Sequence, residues 1–221
     1  MRQIVLDTET TGLDLSNEHR VIEIAAVELQ DRKLTGKEYQ VYLNPERRVG
    51  DSENIHNLSD EFLSDKKLFR EIYKEFLDFI KDSELLIHNA EFDVGFLNNE
   101  LKLAGLNIKI ENQVVKITDT LSLAREKHPG QRNSLDALTD RYEIKGYDRS
   151  YHGALIDSKI LSEVYLLMTG GQKSLGLEES RSVDKMTDEE GLGENYTLLE
   201  IKANNEDVKL HEEYLKKIRV N

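Results

Sequence analysis

The chain has 221 residues, 38% hydrophobic and 33% charged, with a formal net charge of −13 and no cysteine. That suits one sizeable soluble domain with an appendage, and without thiolates any metal must be held by oxygen or imidazole. The acidity argues against a protein that coats nucleic acid through Lys and Arg; with no apolar run of roughly 18 to 20 residues and no signal-peptide layout, a cytoplasmic location away from any membrane is expected.

In chain order, residues 4–6, 21–29 and 38–43 read as strands. "VIEIAAVEL" and "EYQVYL" combine β-branched and aromatic residues with partial alternation, and "QDRKLTG" supplies a turn between them, so the sheet starts antiparallel. From residue 68, Leu68, Ile72, Phe76 and Phe79 or Ile80 recur at helical spacing. "LLIH" at 85–88 is a short buried-strand run, and the next segment places Phe92, Phe96, Leu97 and Leu101 on a helix ended by Gly105. "QVVKITD" reads as a strand, "TLSLAREKH" as a helix stopped before Pro129, and "NSLDALTDRY" as a helix capped by Asn133 or Ser134. The last strong helix, in "HGALIDSKILSEVYLLMTGG", is closed by Gly170 and Gly171. The six Phe residues fall between 62 and 96, which places the densest core there. The expected fold class is α/β with a mixed central sheet flanked by helices.

After residue 171 the character changes. Residues 172–195 carry no aromatic side chain and are rich in Glu, Ser and Gly, the composition of a flexible linker. Residues 196–221 regain Leu, Ile and Tyr but are too few to build a core alone, so they are expected to order against a partner.

The chemistry gathers on carboxylates. Asp7 and Glu9 stand two apart on a strand and so share a face; adjacent anions repel unless they share a proton or bind a cation, and oxygen ligands suit Mg2+ or Mn2+. Asp93 opens the helix after "LLIH", at the strand edge where α/β sheets collect ligands. His152 and Asp157 are five apart, about 140° around a helix, so His152 must sit on the approach and Asp157 within the helix. Four carboxylates and a histidine from separate segments suit a two-metal hydrolytic site for phosphodiesters, where an imidazole, with its ordinary pKa of about 6.5, takes a proton from water.

"DTETTG" at 7–12, "HNAEFDVGFL" at 88–97 and "HGALIDSKILSEVYLLMTGGQ" at 152–172 resemble the three motifs of the DEDDh exonuclease family, supported by "HPGQRNSLDAL" at 128–138. Within that family the likeness is to proofreading subunits of bacterial replicative DNA polymerases. The resemblance implies a ribonuclease H-like fold, 3′-to-5′ exonuclease activity releasing nucleoside 5′-monophosphates, metal ligation by Asp7, Glu9, Asp93 and Asp157, and His152 as general base. It places Thr10, Leu13, Ile55 and His56 with Asp7, Glu9 and Asp157 around the 3′-terminal nucleotide, although Asn57 stands where a glycine is expected. It further implies that Gln172, Leu175 and Leu177 of "QKSLGL" bind the sliding clamp (beta) and that residues 196–221 anchor the polymerase (alpha) subunit, with a small third core subunit left open.

Other residues have plainer readings. His88, Asn89 and Asn98 are expected to satisfy buried polar groups, His19, His128 and His211 to lie on the surface, and the Phe and Tyr stripe of 69–80 to be core. The alternatives are a free-standing exonuclease of RNA or oligonucleotides and a non-catalytic tether between polymerase and clamp; the latter would not need five intact site residues.

Overall fold

The computed structural model describes residues 1–147 and 151–170. The expected linker, the hexapeptide with Gln172, Leu175 and Leu177, the tail at 196–221, Gly171 and His211 lie outside the described residues.

The elements run β1 (Arg2–Thr10), β2 (Val21–Gln30), β3 (Lys33–Tyr42), α1 (Glu53–His56), α2 (Asp60–Ser64), α3 (Phe69–Ile80), β4 (Glu84–Ile87), α4 (Ala90–Leu103), β5 (Lys116–Asp119), α5 (Thr120–Lys127), α6 (Leu135–Arg141) and α7 (Ala154–Thr169). The sheet order is β3-β2-β1-β4-β5. β1 pairs antiparallel with β2 and parallel with β4, and β4 pairs parallel with β5. The C-terminal ends of β1, β4 and β5 therefore meet at one edge.

The pleat sorts the core. Ile4 and Leu6 of β1 pack with Phe76 of α3 and with Phe96 and Leu101 of α4 on one face, whereas Val5 packs with Leu161 and Tyr165 of α7 on the other. Alternation then sends Asp7 and Glu9 toward the α7 face and Thr8 toward α4. The Phe and Tyr stripe is core as expected: Phe69 and Phe76 are buried, and Tyr73 and Phe79 pack against them. Phe62 departs from the expected core, being 40% exposed beside Tyr42.

Several expectations are corrected. β1 extends to Thr10, so Asp7 and Glu9 lie inside the strand and pair with Ala25 and Glu23 of β2. The turn before β3 is tighter than "QDRKLTG" implies: Asp31 (φ 49°) and Arg32 (φ 63°) form it alone, both in the left-handed region that two-residue hairpins require. β3 starts at Lys33, ahead of the expected residue 38, and no apolar alternation marks that start because its first six residues are all exposed. Arg32 is held by donating to Leu166 O (2.8 Å) and Thr169 Oγ1 (2.9 Å) at the end of α7, where cations complement the helix dipole. β5 begins only at Lys116, and two short helices, α1 and α2, occupy "ENIHNLSDEFL". Asn57 closes α1 at φ 57°, so the residue expected as glycine occupies a conformation that asparagine tolerates.

A buried ion pair fixes α4 against the sheet. The Arg20 guanidinium donates from Nε and Nη2 to the two oxygens of Glu100, both at 2.7 Å, and the Val21 amide adds a bond of 3.2 Å. Glu100 is 2% exposed. Removing one partner of such a pair strands the other charge, so Arg20→Ala is expected to cost about 3–5 kcal/mol of unfolding free energy. A urea-midpoint shift corresponding to less than about 1 kcal/mol, the range of exposed pairs, would refute that account.

Candidate active site

Asp7 and Glu9 from β1 and Asp157 from the first turn of α7 each offer a carboxylate oxygen, all within 4.8 Å of one another. Strand alternation supplies the first two, and a helix N-terminus, which favours carboxylates, supplies the third. The Asp157 amide donates to Gly153 O (2.9 Å), and Ser158 Oγ donates to Ala25 O on β2 (3.2 Å), fastening α7 to the sheet.

Asp93, in the first turn of α4, approaches from the other side. It is 3% exposed, lies outside the three-carboxylate group, and accepts from Thr8 Oγ1 at 2.7 Å. Burial, and then the charges of Asp93, Glu9, Asp157 and Glu23, push the Asp7 carboxyl well above the usual carboxylate range. Burial also lifts Asp93, to about 7, against the lowering effect of its Thr8 bond. These groups either keep a proton or need a counter-charge; an all-oxygen donor set this close fits a hard divalent cation.

His152 sits before α7, as its spacing from Asp157 requires. Its Nδ1 lies 3.1 Å from Asp157 Oδ2, its backbone amide donates to Ile55 O (3.0 Å), and its side chain is half-exposed. The segments named for the terminal nucleotide and the general base thus meet directly.

The other expected pocket residues divide. Leu13 is 82% and Ile55 51% exposed, and Leu13 borders a cleft of about 450 Å3 with Asn89, Phe92 and Gly95. Thr10 is buried and donates to Gly12 O at 2.7 Å, which shapes the loop carrying Leu13. His56 is 5% exposed: Nδ1 accepts from the Leu58 amide (3.1 Å), and Nε2 lies 3.1 Å from Ser52 Oγ. With burial lowering its pKa to about 4, this imidazole is neutral and braces the turn that presents Ile55.

His88 and Asn98 serve structure as expected. His88 bonds Thr120 Oγ1 (3.1 Å) and Asn133 O (2.9 Å), and Asn98 accepts from the Ile110 amide (2.9 Å). Asn89 precedes α4 in the left-handed region, and its amide donates to Asp119 (3.1 Å). Two histidines expected on the surface are partly exposed there and also hydrogen-bonded. His19 lies 3.0 Å from Thr11 Oγ1 and covers Gly12, where a Cβ would come within 2.3 Å of its ring; His128 bonds the Tyr142 hydroxyl at 2.8 Å.

Sequence reasoning also missed Glu23. It is 2% exposed on β2, opposite Glu9, and accepts from Gln40 Nε2 (2.8 Å) and from the Ala154 amide at the start of α7 (3.1 Å). Burial is the main cause of its raised pKa. The available signal was a charge at the third position of the apolar run "VIEIAAVEL".

Comparison with known proteins agrees with this geometry. The exonuclease family profile matches residues 4–165. The DNA polymerase III subunit epsilon of Salmonella typhimurium is 52% identical over 179 residues, covering 79% of this chain and 74% of the relative. That of Buchnera aphidicola subsp. Schizaphis graminum is 44% identical over 225 residues, covering 97% and 96%. Among solved structures, the nuclease domain of 3′hExo, a DEDDh family member bound to rAMP, aligns with a TM-score of 0.65 at 21% identity, covering 76% of this chain and 90% of that one. That likeness carries the fold, which is ribonuclease H-like as expected.

Because Asp93 has a folded-state pKa near 7 and an unfolded value of about 3.9, the native state binds the extra proton between them. Its contribution to stability is therefore present at low pH and lost as pH rises through about 7. In EDTA, wild-type protein is expected to lose more thermal stability than Asp93→Asn between pH 5 and pH 8, and Mg2+ to restore it at pH 8. Parallel melting curves for the two proteins would contradict the assignment.

Proposed function

The chain belongs to the exonuclease family, in its DNA polymerase III epsilon branch, and from that membership we propose that Asp7, Glu9, Asp93 and Asp157 hold two divalent cations at the 3′ end of a DNA strand. The activity is that of a metal-dependent 3′-to-5′ proofreading exonuclease of a replicative DNA polymerase. The observation that carries the residue assignment is the convergence of Asp7, Glu9 and Asp157 within 4.8 Å.

Mg2+ and Mn2+ both suit the oxygen donors. When bound, the cations polarise the scissile phosphate, lower the pKa of water and offset charge on the leaving oxygen. Held by its Nδ1–H on Asp157 Oδ2, His152 has its accepting lone pair on Nε2, which takes the proton of the attacking water. Exposed Leu13 and Ile55 flank the terminal base, His56 and Thr10 hold the turns that carry them, and Asp93 completes the ligand set from α4.

The partners in this reading are the DNA 3′ end, the polymerase alpha subunit and the beta clamp. Residues 1–171 form the exonuclease domain, "QKSLGL" at 172–177 supplies Gln172, Leu175 and Leu177 to the clamp from the linker 172–195, and residues 196–221 bind alpha. The setting is the cytoplasm, and none of the described helices is long and apolar enough to cross a membrane.

Mononucleotide release from a 3′-mismatched primer is expected to require Mg2+ or Mn2+ and to be abolished in Asp7→Ala; release that survives EDTA or that substitution defeats the metal assignment. His152→Ala should keep DNA binding and lose roughly 100- to 10,000-fold in rate, and near-normal turnover at neutral pH would remove it as the base. Truncation after residue 180 should leave nuclease activity while ending co-purification with alpha, and a persisting complex would place the anchor elsewhere.

A further inference from the structure

The start of α7 carries both His152 and Asp157, yet its own residues do not cap it. Gly153 occupies the N-cap position and has no side chain to accept from the first helical amides, which normally take a Ser, Thr, Asp or Asn oxygen or else lie open to water. The first of these amides is that of Ala154, whose residue is fully buried. Its partner comes from another element: Glu23 on β2 accepts it at 3.1 Å.

Glu23 is itself held in place. Gln40 on β3 donates to Oε1 at 2.8 Å and to the Tyr42 hydroxyl at 2.9 Å, and that hydroxyl also bonds Glu23. The carboxylate thus links two strands and a helix, and its residue stands directly opposite Glu9 of β1.

We propose that Glu23 is a positioning residue for the hydrolysis, acting as the helix cap that Gly153 cannot be, so that His152 and Asp157 stay registered on the β1 carboxylates. The bond it makes lies between the two functional positions: two residues after His152 and three before Asp157. Two further ties secure the same turn, His152 N to Ile55 O and Ser158 Oγ to Ala25 O, but neither satisfies the Ala154 amide. Losing the Glu23 acceptor would leave a buried N–H without a partner and let the turn shift outward, and a displacement of about 1 Å at a catalytic group costs on the order of 100-fold in rate.

The inference rests on the proposed roles of His152 and Asp157, so its test joins a structural readout to a kinetic one. Glu23→Leu keeps the volume and deletes the acceptor, whereas Glu23→Gln keeps one acceptor oxygen, with the Gln40 amide able to turn to suit it. At saturating Mg2+ on a single-stranded oligonucleotide, Glu23→Leu is expected to lower kcat about 10- to 100-fold with KM nearly unchanged, and Glu23→Gln to recover most of that loss. Hydrogen exchange should quicken at the amides of Ala154 to Asp157 in Glu23→Leu while those of β1 and β4 keep their protection. Unchanged exchange in that turn overturns the capping role whatever the activity does. Equal rate losses in the Leu and Gln variants would make the negative charge the cause and also overturn it. Should Asp7→Ala or His152→Ala stay active, the catalytic reading fails, and the exchange data still report on the cap.

Discussion

Mutual repulsion among buried carboxylates is the constraint around which this molecule is organised. Asp7, Glu9 and Asp157 bring oxygens within 4.8 Å of one another, and Asp93 and Glu23 add their fields to Asp7. Such an arrangement opposes folding until protons or cations compensate it, so it persists only because the surrounding structure over-determines it. The fully buried apolar residues of β1, β2 and β4, packed on both faces of the sheet, supply that rigidity. The Arg20–Glu100 pair locks α4 and hence Asp93, and Arg32 ties the β2–β3 turn to the end of α7.

A single geometric rule, the two-residue period of a strand, allots roles along β1. Even positions Ile4, Leu6 and Thr8 belong to the α3 and α4 face, and the last of them holds Asp93 through its hydroxyl. Odd positions Val5, Asp7 and Glu9 belong to the α7 face, where the apolar contact gives way to the clustered carboxylates as the strand reaches the sheet edge. A one-residue slip would exchange the two sets, and the long β1–β2 ladder, from Arg2 opposite Gln30 to Thr10 opposite Val21, guards against it.

How much of this the sequence disclosed follows from the range of the interactions. Asp7 and Glu9 stood out because they lie two apart on a strand, and His152 and Asp157 because a five-residue spacing allows only one of them inside the helix. The helices were legible where an apolar stripe is buried, as in α3, and β3 only from residue 38 on, because its earlier residues face water. Cross-element contacts left weaker traces. His19 looked like a surface histidine because its partners, Thr11 and Gly12, lie across a loop whose path no periodicity fixes. His56 was placed beside the terminal nucleotide by the likeness of its segment alone, and that likeness left no trace of the bonds its ring makes to Ser52 and Leu58. Glu23 showed only as a charge where an apolar residue was due.

The chain's overall acidity is consistent with this division of labour. A protein of net charge −13 repels a phosphate backbone at long range, and the uncompensated carboxylate cluster repels it most where the scissile bond must sit. Divalent cations held by these carboxylates would reverse the sign of the field at that point, which would confine productive binding of a strand end to it. Affinity for the rest of the DNA then has to come largely from the polymerase of which the epsilon family is a subunit. An exonuclease with a strongly basic surface of its own would hold correctly paired ends as readily as frayed ones. Weak intrinsic grip leaves the choice to whether a terminal nucleotide has come unpaired and can reach the carboxylate cluster.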